Sequence, residues 1–247
     1  MSLDRWIGLC RPGFEGDLAA ELTTVLAEEG VGGYARTEAG EGLVEWVAYG
    51  LSPRELLALR SLPTLQNLVF CRQLSLAGPQ LTALDPADRA SGLVAAAPWA
   101  AAEVLVESPA GPAYAGLERL AKRLPGPIRG ALEDAGKLAG PQDRKLRLHV
   151  TLASGTSAWV GYAPAALSLA EPGGVRRLRR LAGAPSRSGV KLQEAFMHFL
   201  SPTERHLAFA GRPTAVDLGA APGGWTFVLR SLGAEVLAVD NGALDPG

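Results

Sequence analysis

The sequence predicts an α/β protein of three units in series: a ferredoxin-like β-α-β-β-α-β unit, a second and basic α/β unit, and the first β-α-β of a Rossmann-like domain. Three observations predict it. Strand-type apolar runs alternate with segments of helical period through the first 165 residues. A glycine-rich turn, GAAPGG (219–224), joins a short apolar run to a helical one. Positive charge is also confined: residues 115–191 hold 14 Lys and Arg against 5 Asp and Glu, and the remainder holds 10 against 20.

The 247 residues suffice for several small domains, and 47% hydrophobic with 20% charged residues excludes a disordered chain. No run of about 18 apolar residues and no basic-then-apolar leader occurs, so a cytoplasmic protein without a membrane span is expected. The net charge of −1 says nothing about partners, but the local basic excess suits a face that meets a polyanion. Cys10 and Cys71 lie in separate apolar runs, WIGLC and LVFC. Two such thiols make neither a disulfide framework nor a zinc site, and buried, reduced core residues are expected; no metal site is read.

Taken in order, RWIGLC (5–10) reads as a strand, and Pro12–Gly13 turn the chain into a helix with apolar positions Phe14, Leu18, Leu22, Val25 and Leu26. Short strands follow at 34–37 and 43–48 across the AGEG turn. SPRELLALRSL (52–62) offers Ser as a cap and Pro at the first helical position, and LVFCRQL (68–74) is a strand. Gly78–Pro79 marks a boundary, giving a first domain of 1–78. The second, 79–165, contains a helix near 86–97, a strand at 103–107, and a helical stretch at 113–135 broken near Pro125 and Pro127. LRLHVTLA (146–153) and SAWVGYA (157–163) then form a hairpin-like pair across SGT. This unit carries Lys122, Arg123, Arg129, Arg144, Lys145 and Arg147. Residues 166–185, rich in Pro and Gly, read as a linker with a basic turn containing Arg176, Arg177, Arg179 and Arg180.

In 186–247, TAVDL (214–218), GAAPGG and WTFVLRSL (225–232) make strand, turn and helix. Gly233 stops the helix, and EVLAVD (235–240) is the second strand. Glycines let backbone approach a ligand, and Asp240 stands where a carboxylate can accept from two ribose hydroxyls. The dinucleotide fingerprint needs a glycine where this chain has Ala221, which disfavours NAD and FAD. S-adenosylmethionine, without a pyrophosphate, needs a less tight turn.

DLGAAPGGWT followed by VDNG resembles motif I and the second-strand acid of FtsJ-like ribose 2′-O-methyltransferases. LCRPGFEGDLAAEL, PIRGALEDAGKL and APSRSGVKLQEAF resemble one subgroup, the bacterial 23S rRNA ribose 2′-O-methyltransferases of the RlmM type, which act on a cytidine. The resemblance implies a ferredoxin-like unit, a THUMP RNA-binding module on the basic segment, and a Rossmann-like methyltransferase domain. It also implies S-adenosylmethionine contacts at Ser188, Ala221, Pro222, Gly223 and Gly224, with Asp240 on the ribose; Gly219 belongs to the same turn. The substrate it implies is 23S rRNA or a large-subunit assembly intermediate, with no obligate protein partner.

The implied chemistry is attack of a ribose 2′-oxygen on a sulfonium methyl group, served by a Lys-Asp-Lys-Glu tetrad. Lys191 matches the first lysine and is expected in the first turn of a helix capped by Ser186 or Ser188, where a cation opposes the helix dipole. The other three members have no counterpart here, and two strands stand where a doubly wound sheet uses about six. The expectation is therefore an inactive N-terminal part of a methyltransferase. The alternative is a complete, non-catalytic RNA-binding module with a vestigial cofactor loop.

Overall fold

A computed structural model describes residues 3–50, 68–140, 146–165, 168–175 and 178–243. The chain divides into two compact units, 1–175 and 176–247.

In the first unit β1 (Arg5–Cys10) leads into α1 (Glu15–Glu28), followed by β2 (Gly33–Thr37), β3 (Leu43–Ala48) and β4 (Cys71–Ala77). The helix expected at 52–62 lies outside the described residues. Leu18, Leu22 and Leu26 form the buried stripe of α1, at the i, i+4, i+8 spacing the sequence displayed. Phe14 instead sits just before the helix and stacks on Phe70, with ring centroids 5.5 Å apart. β4 begins three residues later than expected, for a local reason. The Glu21 carboxylate accepts the backbone N–H groups of Val69 (2.8 Å) and Phe70 (3.0 Å), so the chain joins the ladder only at Cys71.

The next elements are α2 (Arg89–Ala96), β5 (Glu103–Glu107), a 3-10 turn (Pro112–Tyr114), α3 (Glu118–Arg123), α4 (Pro125–Asp134), β6 (Leu146–Leu152) and β7 (Ala158–Pro164). Asp88 caps α2 by accepting from Ser91 N. The break between α3 and α4 falls at Leu124, and Pro125 takes the first position of α4, where its missing N–H costs nothing.

All seven of these strands form one sheet, ordered β2-β3-β1-β4-β7-β6-β5. The sheet is continuous across the Gly78–Pro79 step, because β4 pairs antiparallel with β7 through Leu76–Tyr162 and Ala77–Gly161. Gly161 is required there: a Cβ would lie 2.8 Å from both Ala77 Cβ and Leu76 O. One face of the sheet carries the main core, built from Trp6, Trp46, Leu148, Val150 and Tyr162 under the leucines of α1 and Ile128 and Leu132 of α4.

The other face has a smaller apolar cluster around Ile7, Leu9, Leu43, Ala77 and Trp159, beside a lane of buried polar groups. That lane holds a strap, residues 168–175. Arg147 pairs with Glu103 (2.6 Å) and donates to Ser168 O (2.8 Å). Gln73 exchanges hydrogen bonds with Leu169, donating to its O (2.9 Å) and accepting from its N (3.2 Å). Glu107 accepts from Gly173 N (2.8 Å) and contacts His149 Nδ1 (3.0 Å). Part of the segment read as a linker is thus pinned to the sheet by side chains from β4, β5 and β6. Arg147, grouped by sequence with the basic surface, is a buried structural residue.

The second unit has α5 (Ser188–Phe199), α6 (Pro202–Phe209), β8 (Thr214–Leu218), α7 (Gly224–Ser231) and β9 (Glu235–Val239). β8 and β9 pair in parallel, with Val216 opposite Leu237 and Leu218 opposite Val239. Asp217 and Ala234 are buried toward α7, whereas Val216, Leu218, Leu237 and Val239 are 57%, 77%, 61% and 47% exposed. Parallel strands are normally buried on both faces. Here one face is bare.

Candidate cofactor loop and basic surface

The turn after β8 is built by backbone bonds first. Gly219 N and Ala220 N both donate to Val239 O, at 2.9 and 3.3 Å, tying the loop to the end of β9. Gly219 (φ 77°) and Gly223 (φ 109°) occupy left-handed conformations that favour glycine. Gly223 is the residue before α7, and no side chain caps that helix, so its first N–H groups remain available to a ligand anion. A Cβ on Gly219 would meet nothing within 4 Å, so the loop is open on that side.

Asp240 closes the loop from β9. Its Oδ2 accepts from Ala221 N (2.8 Å) and its Oδ1 from Gly242 N (2.6 Å). These bonds, Gly242 first and then Ala221, hold its carboxyl below the ordinary range. The group is therefore an anion at neutral pH, and each oxygen keeps a second acceptor direction for a hydroxyl. Asp217, the acid of the TAVDL run, is buried and accepts from Thr226 Oγ1 at 2.6 Å, fastening strand to helix under the loop.

The N-terminus of α5 lies against that of α7. A Cβ on Gly189 would meet Gly224 O at 2.6 Å and Val228 Cγ2 at 2.8 Å, so two helices touch through glycines. Trp225 Nε1 donates to Ser188 O (3.1 Å), and the Ser186 and Ser188 hydroxyls lie 2.6 Å apart. The expected cap differs in detail. Arg187 holds the cap position without a side-chain bond, and Ser186 Oγ accepts from Ser188 N at 3.3 Å. Lys191 is exposed in the first turn of α5. Motif I and the lysine-bearing helix, 28 residues apart from Lys191 to Gly219, are thus brought together by Gly189, Ser188 and Trp225. Sequence reasoning passed over Gly189, Trp225 and Thr226. A glycine at the start of a helix was the available signal for the first.

Of the basic residues, Lys122 and Arg123 in the last turn of α3 and Arg129 on α4 are exposed, as are Arg179 and Arg180 in coil. Arg144, Lys145, Arg176 and Arg177 lie outside the described residues. Lys137 contributes to the charge count but serves α2, donating to Val94 O (3.0 Å) and Ala97 O (2.7 Å). Among the described residues no helix is long and apolar enough to cross a membrane.

A β-α-β with a glycine turn, an uncapped helix start and an acid after the second strand has the layout of a Rossmann-like cofactor-binding unit. Residues 184–246 match the FtsJ-like methyltransferase family, and residues 3–75 match the RlmM ferredoxin-like domain. The chain is 40% identical over 238 residues to the ribosomal RNA large subunit methyltransferase M of Xanthomonas axonopodis pv. citri (strain 306), covering 95% of this chain and 67% of that protein. It is 42% identical over 243 residues to the same-named protein of Stenotrophomonas maltophilia (strain R551-3), covering 96% and 66%. The chain belongs to the ribosomal RNA large subunit methyltransferase M family, whose cofactor is S-adenosylmethionine, and it spans about two thirds of the length of these relatives. Among solved structures, TrmN from Thermus thermophilus aligns over 95% of this chain and 64% of its own, with a TM-score of 0.42 at 20% identity.

Proposed function

We propose that this chain carries the RNA-binding and motif-I portions of an S-adenosylmethionine-dependent enzyme that methylates the 2′-oxygen of a cytidine in 23S rRNA, free or in a large-subunit assembly intermediate. It does so in the cytoplasm and without an obligate protein partner. Residues 1–78 are the ferredoxin-like part and 79–165 a THUMP-like part of the one continuous sheet; of the segment 166–185, residues 168–175 stay strapped to that sheet and the remainder is a basic linker; 186–247 are the start of the methyltransferase domain. The observation that supports the reading is the contact of α5 with the start of α7 through Gly189 and Trp225, which joins the first turn of the lysine-bearing helix to the cofactor loop.

In this reading Gly219, Ala221, Pro222, Gly223 and Gly224 line the cofactor, with its carboxylate toward the start of α7 and its ribose toward Asp240; Ser188 borders it. The bound cofactor supplies an activated methyl group. Lys191 donates a hydrogen bond to the ribose 2′-hydroxyl, orienting it and stabilising negative charge as its proton passes to the base, the role that the resemblance gives to the tetrad's second lysine. Lys122, Arg123, Arg129, Arg144, Lys145, Arg176, Arg177, Arg179 and Arg180 contact phosphates.

The 247 residues do not complete the transfer alone. The resemblance assigns Lys191 only one part of a four-residue site, and the bare apolar face of β8 and β9 supports the view that further structure normally packs there. The test uses the purified chain with unmodified 23S rRNA and methyl-labelled cofactor. RNA retention that weakens steeply with salt, without label transfer, is expected. Transfer of label to ribose would overturn the inactivity. In parallel, titration with S-adenosylhomocysteine should perturb Trp225 fluorescence in the chain but not in Asp240→Ala; an unaltered response in that variant sinks the assignment of Asp240.

A further inference from the structure

We propose that Cys10 and Cys71 form a site of reversible oxidation, at which a hydroperoxide converts two facing thiols into a cross-strand disulfide between β1 and β4. Sixty residues separate the two in sequence, but the register places them directly opposite each other. A bulge makes this possible. Leu9 pairs with Gln73 and Cys10 with Cys71, leaving Arg72 as the extra residue on β4. Both side chains then point into the same core cluster, on the same face of the sheet.

The kind of pair matters. Cys10 N donates to Gly42 O (3.0 Å), so the backbone polar groups of Cys10 point toward β3 and away from β4. Toward β4, Cys10 occupies a non-hydrogen-bonded position, where facing Cα atoms lie about 4.5 Å apart and side chains come closest. That separation falls within the roughly 4.4–6.8 Å span of disulfides. Both thiols are free in this structure, and the Cys71 thiol donates to Gln73 O at 3.2 Å.

The balance is simple. A Cys10 thiolate attacks one oxygen of the hydroperoxide, giving a sulfenic acid and water or an alcohol. The Cys71 thiol then attacks that sulfur, forming the S–S bond and expelling water. Two thiols are oxidised by two electrons and one peroxide bond is reduced. Cys10 is the thiol to react first. Burial, with Glu15 adding to it, pushes Cys10 up to about 11, and burial raises Cys71 further. The pair is therefore mostly un-ionised at neutral pH and reacts slowly, faster by about tenfold per pH unit as the thiolate fraction grows. A small oxidant suits so enclosed a pair, since Cys10 and Cys71 are both buried. The product staples β1 to β4 around the loop 11–70.

The experiment treats the folded 247-residue chain, freed of reductant, with hydrogen peroxide at pH 7, 8 and 9, then traps remaining thiols with an alkylating agent in denaturant. Expected is a monomer lighter by two hydrogens, unreactive to the alkylating agent, restored by dithiothreitol, and yielding one peptide that joins Cys10 to Cys71. Its melting temperature should rise on the order of 10 °C. Cys10→Ser and Cys71→Ser should not give that species. Two alkylatable thiols persisting after the exposed Met197 has become sulfoxide would overturn the proposal. So would sulfinic acids in the unmutated chain, or reducible dimers in place of the monomer.

Discussion

At the scale of single residues, several side chains do work that their chemistry announces only once neighbours are known. Glu15 is buried, and its carboxylate accepts from Gly13 N (3.0 Å) and Gly42 N (2.6 Å), joining two loops at one end of the first unit. Burial pushes its carboxyl up, but these backbone bonds outweigh that and hold it below the ordinary range. A depressed carboxyl contributes stability that is present above its unfolded value, near 4.3, and lost as pH falls through the folded one. Glu15→Gln should cost about 2 kcal/mol at pH 7 in urea unfolding, and the gap to the unmutated chain should narrow below pH 4. An unchanged gap at pH 3 would mean the charge is irrelevant. At the other unit, Gly189→Ala drives a Cβ into the Gly224 carbonyl. It should unfold or loosen 186–243 while leaving the first unit intact, as read by amide hydrogen exchange.

At the scale of elements, β1, β5 and the β6–β7 hairpin were legible because their alternation is clean and their flanks carry turn residues. β4 was displaced because a strand's start depends on where its amides go, and Glu21, 48 residues away from Val69, takes two of them. No local pattern displays that. α6 is the opposite case. Its S-P-T-E start is a capping box with Pro at the first position, written in plain sequence but masked by the polar character of the stretch. Ser201 Oγ accepts from Glu204 N (3.2 Å), and Glu204 returns the bond to Ser201 N (2.8 Å). Ser201→Ala should weaken this helix by about 1 kcal/mol, seen as roughly fivefold faster exchange of its amides with little change in global unfolding. The turn residues Gly219 to Gly224 and Asp240 were legible as a constellation. Their support by Trp225, Thr226 and Gly189 was not, since it depends on helix-to-helix contact.

At the scale of the whole molecule, sequence suggested two N-terminal domains and a linker, and the structure presents one seven-stranded sheet followed by a separate unit. The fusion rests on only two paired positions between β4 and β7, too short a signal to read from composition. Limited trypsin digestion should therefore spare Arg72 and Arg89, which flank the Gly78–Pro79 step, and cut first at the exposed Arg179 and Arg180, releasing an N-terminal piece that still unfolds cooperatively. Early cleavage after Arg72, Arg89 or Arg147 of β6 would contradict a single cooperative sheet. Salt titration of RNA binding belongs at this scale too. Reversing Arg176, Arg177, Arg179 and Arg180 together should lower affinity and flatten the salt slope, and an unaltered slope would remove the linker from the RNA interface.

The strap over the polar lane bears on how this chain can be divided. A fragment that stopped after β7 would leave the Arg147 guanidinium with Glu103 alone, Gln73 without either Leu169 bond, and Glu107 without Gly173, all on a face newly opened to water. Residues 168–175 thus behave as the last piece of the first unit rather than the beginning of a tether. Anyone isolating that unit should carry it through Val175, and a version trimmed at Pro164 should express as a looser, more protease-sensitive protein.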